Sequence, residues 1–600
     1  MIRTPLRPLA HVISARQAGE NTDFIERHNL AKRHDIIHES TKGRFQLRLA
    51  FLAIIFFMAF ATIVTRMGML AASEPVEPNL VNMGSDILAS RADITDRSGR
   101  ILGTNLVTHA LYAHPKKMID PLLVARKLVA IFPDVRVEDY ERRFTGGRSF
   151  LWLRKVLSPE QMQAVHDIGD PGLSFAPREM RLYPNGRLAA HILGGVRFED
   201  ESVNAAQVIG IAGIEHALDQ KLRDPTSDNR PVALSIDLTV QDAVAEVLGN
   251  GMNILLAKAA AAVLMDVHTG QVLSLVSLPD FDPNDRPVSI FGEDPVLSPL
   301  FNRAVQGVYE LGSTFKIFAA AQAMELGLVT PDTMIDANAP MDWGNYKIRE
   351  FEGNNYGPLL SVSDVIAKSS NVGSANIARK IGAERQQIFL QSLGLLDISP
   401  VELSEARNTQ PLVPQKWSEI TTITASYGHG ISTSPLHLAA AYSTIANGGL
   451  LVRPTLLRDA PIGKPKRIVS KKTAALAVGM LRGVVTHGTA TSADVDGYQV
   501  AGKTATADKP NPKGGYYKKR VINTFASVFP ANSPRYALVV TLDEPVDNTG
   551  PKPRRTASYT AVPVAAEIIR RVAPLLGLRP ALDLSQEIIA SANLDMAPSE

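Results

Sequence analysis

Tyr309-Glu310-Leu311-Gly312-Ser313-Thr314-Phe315-Lys316 sets a serine and a lysine three residues apart at the head of an apolar run. On a helix, positions i and i+3 share a face, so this spacing brings the Lys316 amine toward the Ser313 hydroxyl, whose proton it can take. Phe315, Ile317, Phe318, Ala319, Ala320, Ala321 and Ala323 are apolar around the whole circumference, which predicts a helix buried in protein. Burial disfavours an ammonium, and the neutral amine that results is a competent base near neutral pH. The expected chemistry is a serine acyl-enzyme. S-x-x-K is short enough to arise by chance in a chain of this length, so its company has to decide.

Two further motifs follow in order. Ser369-Ser370-Asn371 spells S-x-N and Lys503-Thr504-Ala505 approaches K-T-G, which with S-x-x-K make up the trio of penicillin-interacting serine enzymes. Each has decoys, in Ser374-Ala375-Asn376, Ser591-Ala592-Asn593 and Lys472-Thr473-Ala474. Context separates them. Ser374 runs into Asn376-Ile377-Ala378-Arg379, which reads as helix interior, Ser591 lies in a tail, and Lys472 opens a segment of helix-forming composition on a surface. Lys503 instead lies among the small and β-branched residues of Tyr498 to Ala507, suited to a strand edge lining a cleft.

On these residues the chain resembles the class B penicillin-binding proteins, most closely the cell-division (septal) peptidoglycan transpeptidases, and the resemblance covers most of its length. Arg91-Ala92-Asp93-Ile94-Thr95-Asp96-Arg97-Ser98-Gly99 is similar to the family's first signature of a non-catalytic module. Arg181 to Gly186 with Ala190 to Gly194, and Gly210 to Glu215, resemble the second and third. Asn302-Arg303-Ala304 and Ser426 to Ser432 look like family segments near the site. Ala505 stands where the family has glycine, and its methyl is expected to narrow the cleft; Ala92 likewise replaces a glycine. Asn371 matches the division members, since elongation relatives tend to carry aspartate there.

The resemblance implies roles for each position. Ser313 attacks the penultimate D-alanine of a peptidoglycan stem peptide with Lys316 as base, and an amine of a second stem then takes the acyl group. Ser369 shuttles a proton, Asn371 holds the substrate amide, and Lys503 sets the local potential. Ser370, Thr504, Ala505 and Thr506 are expected to bind substrate, and the backbone N–H groups of Ser313 and Thr506 to form the oxyanion hole. No metal or organic cofactor is needed. Implied partners are stem peptides, β-lactams, the membrane, a glycosyltransferase and other division proteins.

Composition agrees with such a setting. With 63 basic and 60 acidic side chains there is no broad positive surface for nucleic acid, and the absence of cysteine excludes disulfides and thiolate chemistry. His191 and His429 read as packed residues rather than metal ligands. From Leu49 through Val64 the chain is uncharged, bounded by Arg48 and Arg66, and too far from the start for a cleaved signal peptide. Arg27, Lys32, Arg33, Lys42, Arg44 and Arg48 precede it while Glu74 and Glu77 follow, which predicts a cytoplasmic N-terminus and an extracytoplasmic remainder.

The expected fold is α+β and multidomain: a cytoplasmic tail (1–48), a single transmembrane helix (49–66), a mixed pedestal (67–232), a transpeptidase domain resembling the serine β-lactamases, with an antiparallel sheet between helices (233–574), and a C-terminal tail (575–600). Both tails are expected to be mobile. Two other classes share parts of this pattern. A β-lactamase would carry the trio but needs a deacylating group that the sequence does not reveal, and a non-enzymatic scaffold or penicillin sensor would explain Ala505 by decay. An elongation-type transpeptidase is the nearest alternative within the family.

Overall fold

The computed structural model describes residues 7–72, 91–198, 208–227, 230–288, 294–344, 346–461 and 463–581; of the expected C-terminal tail, 582–600 lie outside the described residues. The chain divides into two units, Met1–Ile87 and Leu88–Glu600.

The first unit is helical, with Arg7–Gln17 followed by one long helix, Asp23–Ala72. Both helices include residues of the segment expected to be a mobile tail. No proline interrupts Asp23 to Ala72, so once the apolar part is helical each preceding residue extends it at little cost. Ala50–Met67 is long and apolar enough to cross a membrane. Thr62 and Thr65 donate to carbonyls one turn back at 2.7 Å, which satisfies hydroxyls that an apolar surrounding would otherwise strand.

The second unit begins with the pedestal, where Ile94–Thr95, Ile101–Ala113, Leu151–Leu157, Leu173–Leu182 and Val232–Ala233 form a mixed sheet around the long Ile101–Ala113 strand. Its far end has its own core, including Leu111, Val124, Leu128, Tyr140 and Phe144, under helices Pro121–Ile131, Val137–Thr145 and Pro159–His166. Its near end does not: Ile94, Leu102, Tyr183, Ile192 and Ile214 pack in the same apolar cluster as the catalytic half.

The three signatures of this module meet at one carboxylate. Fully buried Glu215 accepts from Arg91 Nε and from Arg181 Nε, each at 2.7 Å, and from the Tyr183 hydroxyl at 3.3 Å. Arg91 also pairs with Asp219 at 2.7 Å. In the first signature Asp96 accepts from the Ser98 and Arg100 N–H groups, closing a turn that Gly99 completes at φ +87°.

The catalytic half is built on an antiparallel sheet of β1 (Ala259–Asp266), β2 (Val272–Leu278), β3 (Ala501–Pro510), β4 (Tyr516–Phe529) and β5 (Tyr536–Asp543), in the order β3-β4-β5-β1-β2. β1 and β2 are joined through His268-Thr269-Gly270, where Asp266 Oδ1 accepts from the His268 and Thr269 N–H groups and Gly270 adopts φ +76°. The helices that frame the site are α1 (Leu238–Ile254), α2 (Lys316–Glu325), α3 (Asn371–Ile381), α4 (Pro435–Ala446), α5 (Lys471–His487) and α6 (Ala561–Leu575). α1 and α6 cover one face of the sheet; α4 and α5 cover the other, and α2 packs between α3 and α5. Because helices cover both faces, β1 and β5 are buried at every position but the last, Asp266 and Asp543, instead of alternating. Among the described residues strand β3 pairs only with β4, which leaves its other edge unpaired.

Candidate active site

Ser313 does not lie within the α-helix: Gly312–Phe315 forms a 3-10 turn, and α2 starts at Lys316. With about three residues per turn, positions i and i+3 eclipse, so residues 313 and 316 still share a side. Thr314 clamps the turn by donating to the Leu311 carbonyl at 2.7 Å, and Tyr442 of α4 donates to the Thr314 carbonyl at 2.9 Å. Gly428, within Ser426 to Ser432, approaches so closely that a Cβ there would stand 2.1 Å from the Gly312 carbonyl oxygen.

Lys316 is 1% exposed, and its Nζ donates to the Ser369 carbonyl, to Ser369 Oγ at 3.0 Å and to Asn371 Oδ1 at 2.8 Å. These acceptors match the three hydrogens of an ammonium. The expected Lys316–Ser313 hydrogen bond is not formed, and among the described residues Ser313 Oγ has no hydrogen-bond partner. Lys503, fully buried on β3, donates to Ser369 Oγ at 2.9 Å and to the Thr504 carbonyl at 3.2 Å. The Ser369 hydroxyl therefore joins both amines.

Burial lowers Lys316 to about 7, and the negative charge of Glu350 opposes that fall. Burial also pushes Lys503 well down, with the Lys316 charge adding to the effect. Two buried amines within reach of one hydroxyl resist double protonation, so the pair is poised to hold a neutral amine at physiological pH.

Several expected substrate contacts are arranged differently. Ser370 is fully buried: its Oγ donates to Glu350 at 2.6 Å and accepts from the Gly373 N–H at 2.9 Å, capping α3 rather than facing the groove. The Ala505 methyl does not narrow the groove either; it is 2% exposed, and a Cβ built on Gly312 would stand 3.4 Å from it. Strand alternation is the reason, since Lys503 and Ala505 point to the face that carries the Ser313 turn. Thr504 and Thr506 point the other way. Thr504 Oγ1 lies 2.6 Å from Thr489 Oγ1, and Thr506 Oγ1 accepts from the Ala557 N–H at 2.9 Å, leaving its own hydrogen to donate.

Of the decoys, Ser374 is buried inside α3 with its hydroxyl on the Ser370 carbonyl, and Lys472 is exposed on the first turn of α5; Ser591 lies outside the described residues. Sequence reasoning missed Glu350 and Thr489, which sit in no spaced motif. It also missed Glu310, beside the nucleophile turn, which accepts from the Gly430 N–H at 2.9 Å and the Tyr516 hydroxyl at 3.1 Å, and has His429 Nδ1 at 3.4 Å. Burial raises the Glu310 carboxyl, and Tyr516 ties the tip of the β3–β4 hairpin to the segment that holds Ser313.

Comparison with known proteins bears on the family to which the chain belongs. The model of the penicillin-binding protein transpeptidase domain matches residues 260–570, and that of the penicillin-binding protein dimerisation domain matches residues 86–229. The probable peptidoglycan D,D-transpeptidase FtsI of Caulobacter vibrioides (strain NA1000 / CB15N) is 34% identical over 521 residues, covering 85% of each chain. The peptidoglycan D,D-transpeptidase FtsI of Escherichia coli (strain K12) is 27% identical, over 76% of this chain and 80% of its own. The crystal structure of penicillin binding protein 3 from Mycobacterium tuberculosis complexed with ampicillin aligns with a TM-score of 0.62 at 25% identity, over 82% of this chain and 97% of its own. With one family model over more than half of its length, a second over the pedestal and a relative matched along most of both chains, this chain belongs to the penicillin-binding protein transpeptidase family.

Proposed function

We propose that this chain is a peptidoglycan D,D-transpeptidase of the division (septal) type, acting through an acyl-enzyme on Ser313. The observation that carries this is the meeting of Lys316, Ser369, Asn371 and Lys503, from three distant stretches, beside the Ser313 turn. Lys316 in its ammonium form gives each hydrogen to an acceptor of the 369–371 turn; loss of one proton frees a lone pair for the Ser313 hydroxyl. Ser313 Oγ then attacks the carbonyl carbon of the penultimate D-alanine while its proton passes to Lys316. The C–N bond breaks, Ser369 relays a proton to the departing D-alanine amine, and an ester remains on Ser313. An amine of a neighbouring stem attacks that ester, forms the new amide and returns the proton to Ser313 through the same groups.

Asn371 holds the substrate amide, Lys503 keeps the potential positive around Ser369, and the unpaired edge of β3 at Thr504, Ala505 and Thr506 meets the substrate's terminal carboxylate and chain. The backbone N–H groups of Ser313 and Thr506 serve as the oxyanion hole. β-Lactams acylate the same serine. Ala50–Met67 anchors the protein in the cytoplasmic membrane, with the basic N-terminal segment inside and the pedestal and transpeptidase domains outside. The pedestal meets a glycosyltransferase and other division proteins.

The test is cross-linking. Full-length protein supplied with lipid-linked substrate and a glycosyltransferase is expected to form peptide-linked dimers, and Ser313→Ala to form none while keeping its fold. Cross-linking retained by Ser313→Ala would refute the assignment.

A further inference from the structure

Between the short strand Tyr346–Ile348 and Gly353 the chain carries Glu350, 4% exposed. Its carboxylate is wholly engaged with the start of α3. Oε1 accepts from Ser370 Oγ at 2.6 Å and the Val372 N–H at 3.2 Å, and Oε2 accepts from the Asn371 N–H at 2.7 Å. One residue earlier, the Arg349 carbonyl accepts from Asn371 Nδ2 at 2.9 Å, which leaves Asn371 Oδ1 to face Lys316 at 2.8 Å. A charged acceptor at a helix N-terminus is favourable, but a surface aspartate or serine would supply that without burying a charge. Burial of this carboxylate is costly, and its neighbour across the turn is the amine of Lys316.

We propose that Glu350 is a positioning residue of the active site, which fixes the Ser369–Asn371 turn against Lys316 and supplies the negative charge that sets the basicity of that amine. The proposal rests on the assignment of Lys316 as general base. The charged and titratable groups around the pair are Lys503 on β3, His429 on the loop before α4 and Tyr356 beyond Glu350 itself. Burial opposes protonation of Lys316 and Glu350 favours it, so removing the Glu350 charge leaves burial unopposed.

The test is the rate constant for acylation by a fluorescent penicillin, followed from about pH 5 to about pH 10 with thermal unfolding as the control for folding. Wild-type protein is expected to accelerate along an acidic limb as Lys316 loses its proton. In Glu350→Gln the plateau is expected to fall about tenfold or more and the limb to move to lower pH, because an amine without its anionic neighbour deprotonates earlier. Glu350→Asp keeps the charge but shortens the reach, so its plateau falls while its limb stays at the wild-type position. A Glu350→Gln profile with the wild-type limb would overturn the proposal, since a merely structural cap leaves the pH profile in place. Should Glu350→Gln not fold, Glu350→Asp decides: a wild-type plateau, or a limb displaced to lower pH, overturns it. Lys316→Ala, run in parallel, separates the two claims. An acidic limb that persists without Lys316 refutes the base assignment itself, whatever Glu350 does.

Discussion

Ser369 holds φ at +64°, a region in which the Cβ of an L-residue crowds its own backbone, and in that conformation both its carbonyl and its hydroxyl turn to Lys316. Such a conformation costs about 1–3 kcal/mol and persists because Lys316, Lys503 and the capped start of α3 over-determine it. Ser369→Ala removes the one hydroxyl that both lysines share, and acylation by penicillin is expected to slow by about 100-fold or more in stopped-flow labelling. A rate within threefold or so of wild type would show that the two amines do not work through it. At Ala505 the expectation reverses what sequence alone implies. Its methyl fills space beneath Gly312, so Ala505→Gly is expected to lower stability by about 1 kcal/mol in thermal unfolding and not to speed acylation. Faster acylation would place the methyl in the substrate's path after all.

Among elements, α2 and β3 were legible because each has a compositional signature: an all-round apolar helix, and a small and β-branched edge strand. The 3-10 turn at Gly312–Phe315 was not, since its residues fit an α-helix equally well and only clamps from Thr314 and Tyr442 decide. Glu350 was invisible for a related reason: an acid in an irregular segment acquires meaning only when folding brings it to the start of α3. Ser370 sits in the middle of a recognisable motif yet belongs to the cap, because the helix starts at Asn371 and the Ser370 hydroxyl accepts from the Gly373 N–H. The pedestal signatures, by contrast, are far apart in sequence but meet at Glu215. Glu215→Gln leaves Arg91 and Arg181 buried against a neutral amide, and a loss of roughly 3–5 kcal/mol is expected in chemical unfolding. A loss below about 1 kcal/mol would mean that the arginines find other partners.

At the scale of the whole molecule, the apolar cluster that runs from Ile94 and Ile214 through the sheet to α6 joins the near end of the pedestal to the catalytic half without a break. Sequence could propose a boundary near residue 232, but the shared core depends on which faces meet, and single-chain periodicity does not encode that. Two buried histidines report on this packing. His191 Nε2 donates to the Pro299 carbonyl and the ring packs edge-on against Phe281, while His437 lies between Ser434 and the Asp397 carbonyl. Burial lowers each to about 4 from an ordinary 6.5. Below 6.5 the unfolded chain binds protons that the folded chain refuses, so stability falls as pH drops through the window from 6.5 to about 4, by up to roughly 3 kcal/mol for each histidine. Replacing His437 with glutamine should flatten part of that decline in denaturant titrations; an unchanged slope would show that other groups cause it.

The central claim is that distant stretches of the chain converge to make Ser313 an acylated nucleophile served by Lys316 and Lys503. Peptide mass mapping after treatment with penicillin tests it most directly. The adduct is expected on the peptide containing Ser313, absent in Ser313→Ala, and formed at least about 100-fold more slowly in Lys316→Ala and Lys503→Ala. An adduct on another residue, or one formed at the wild-type rate without either lysine, would contradict the account.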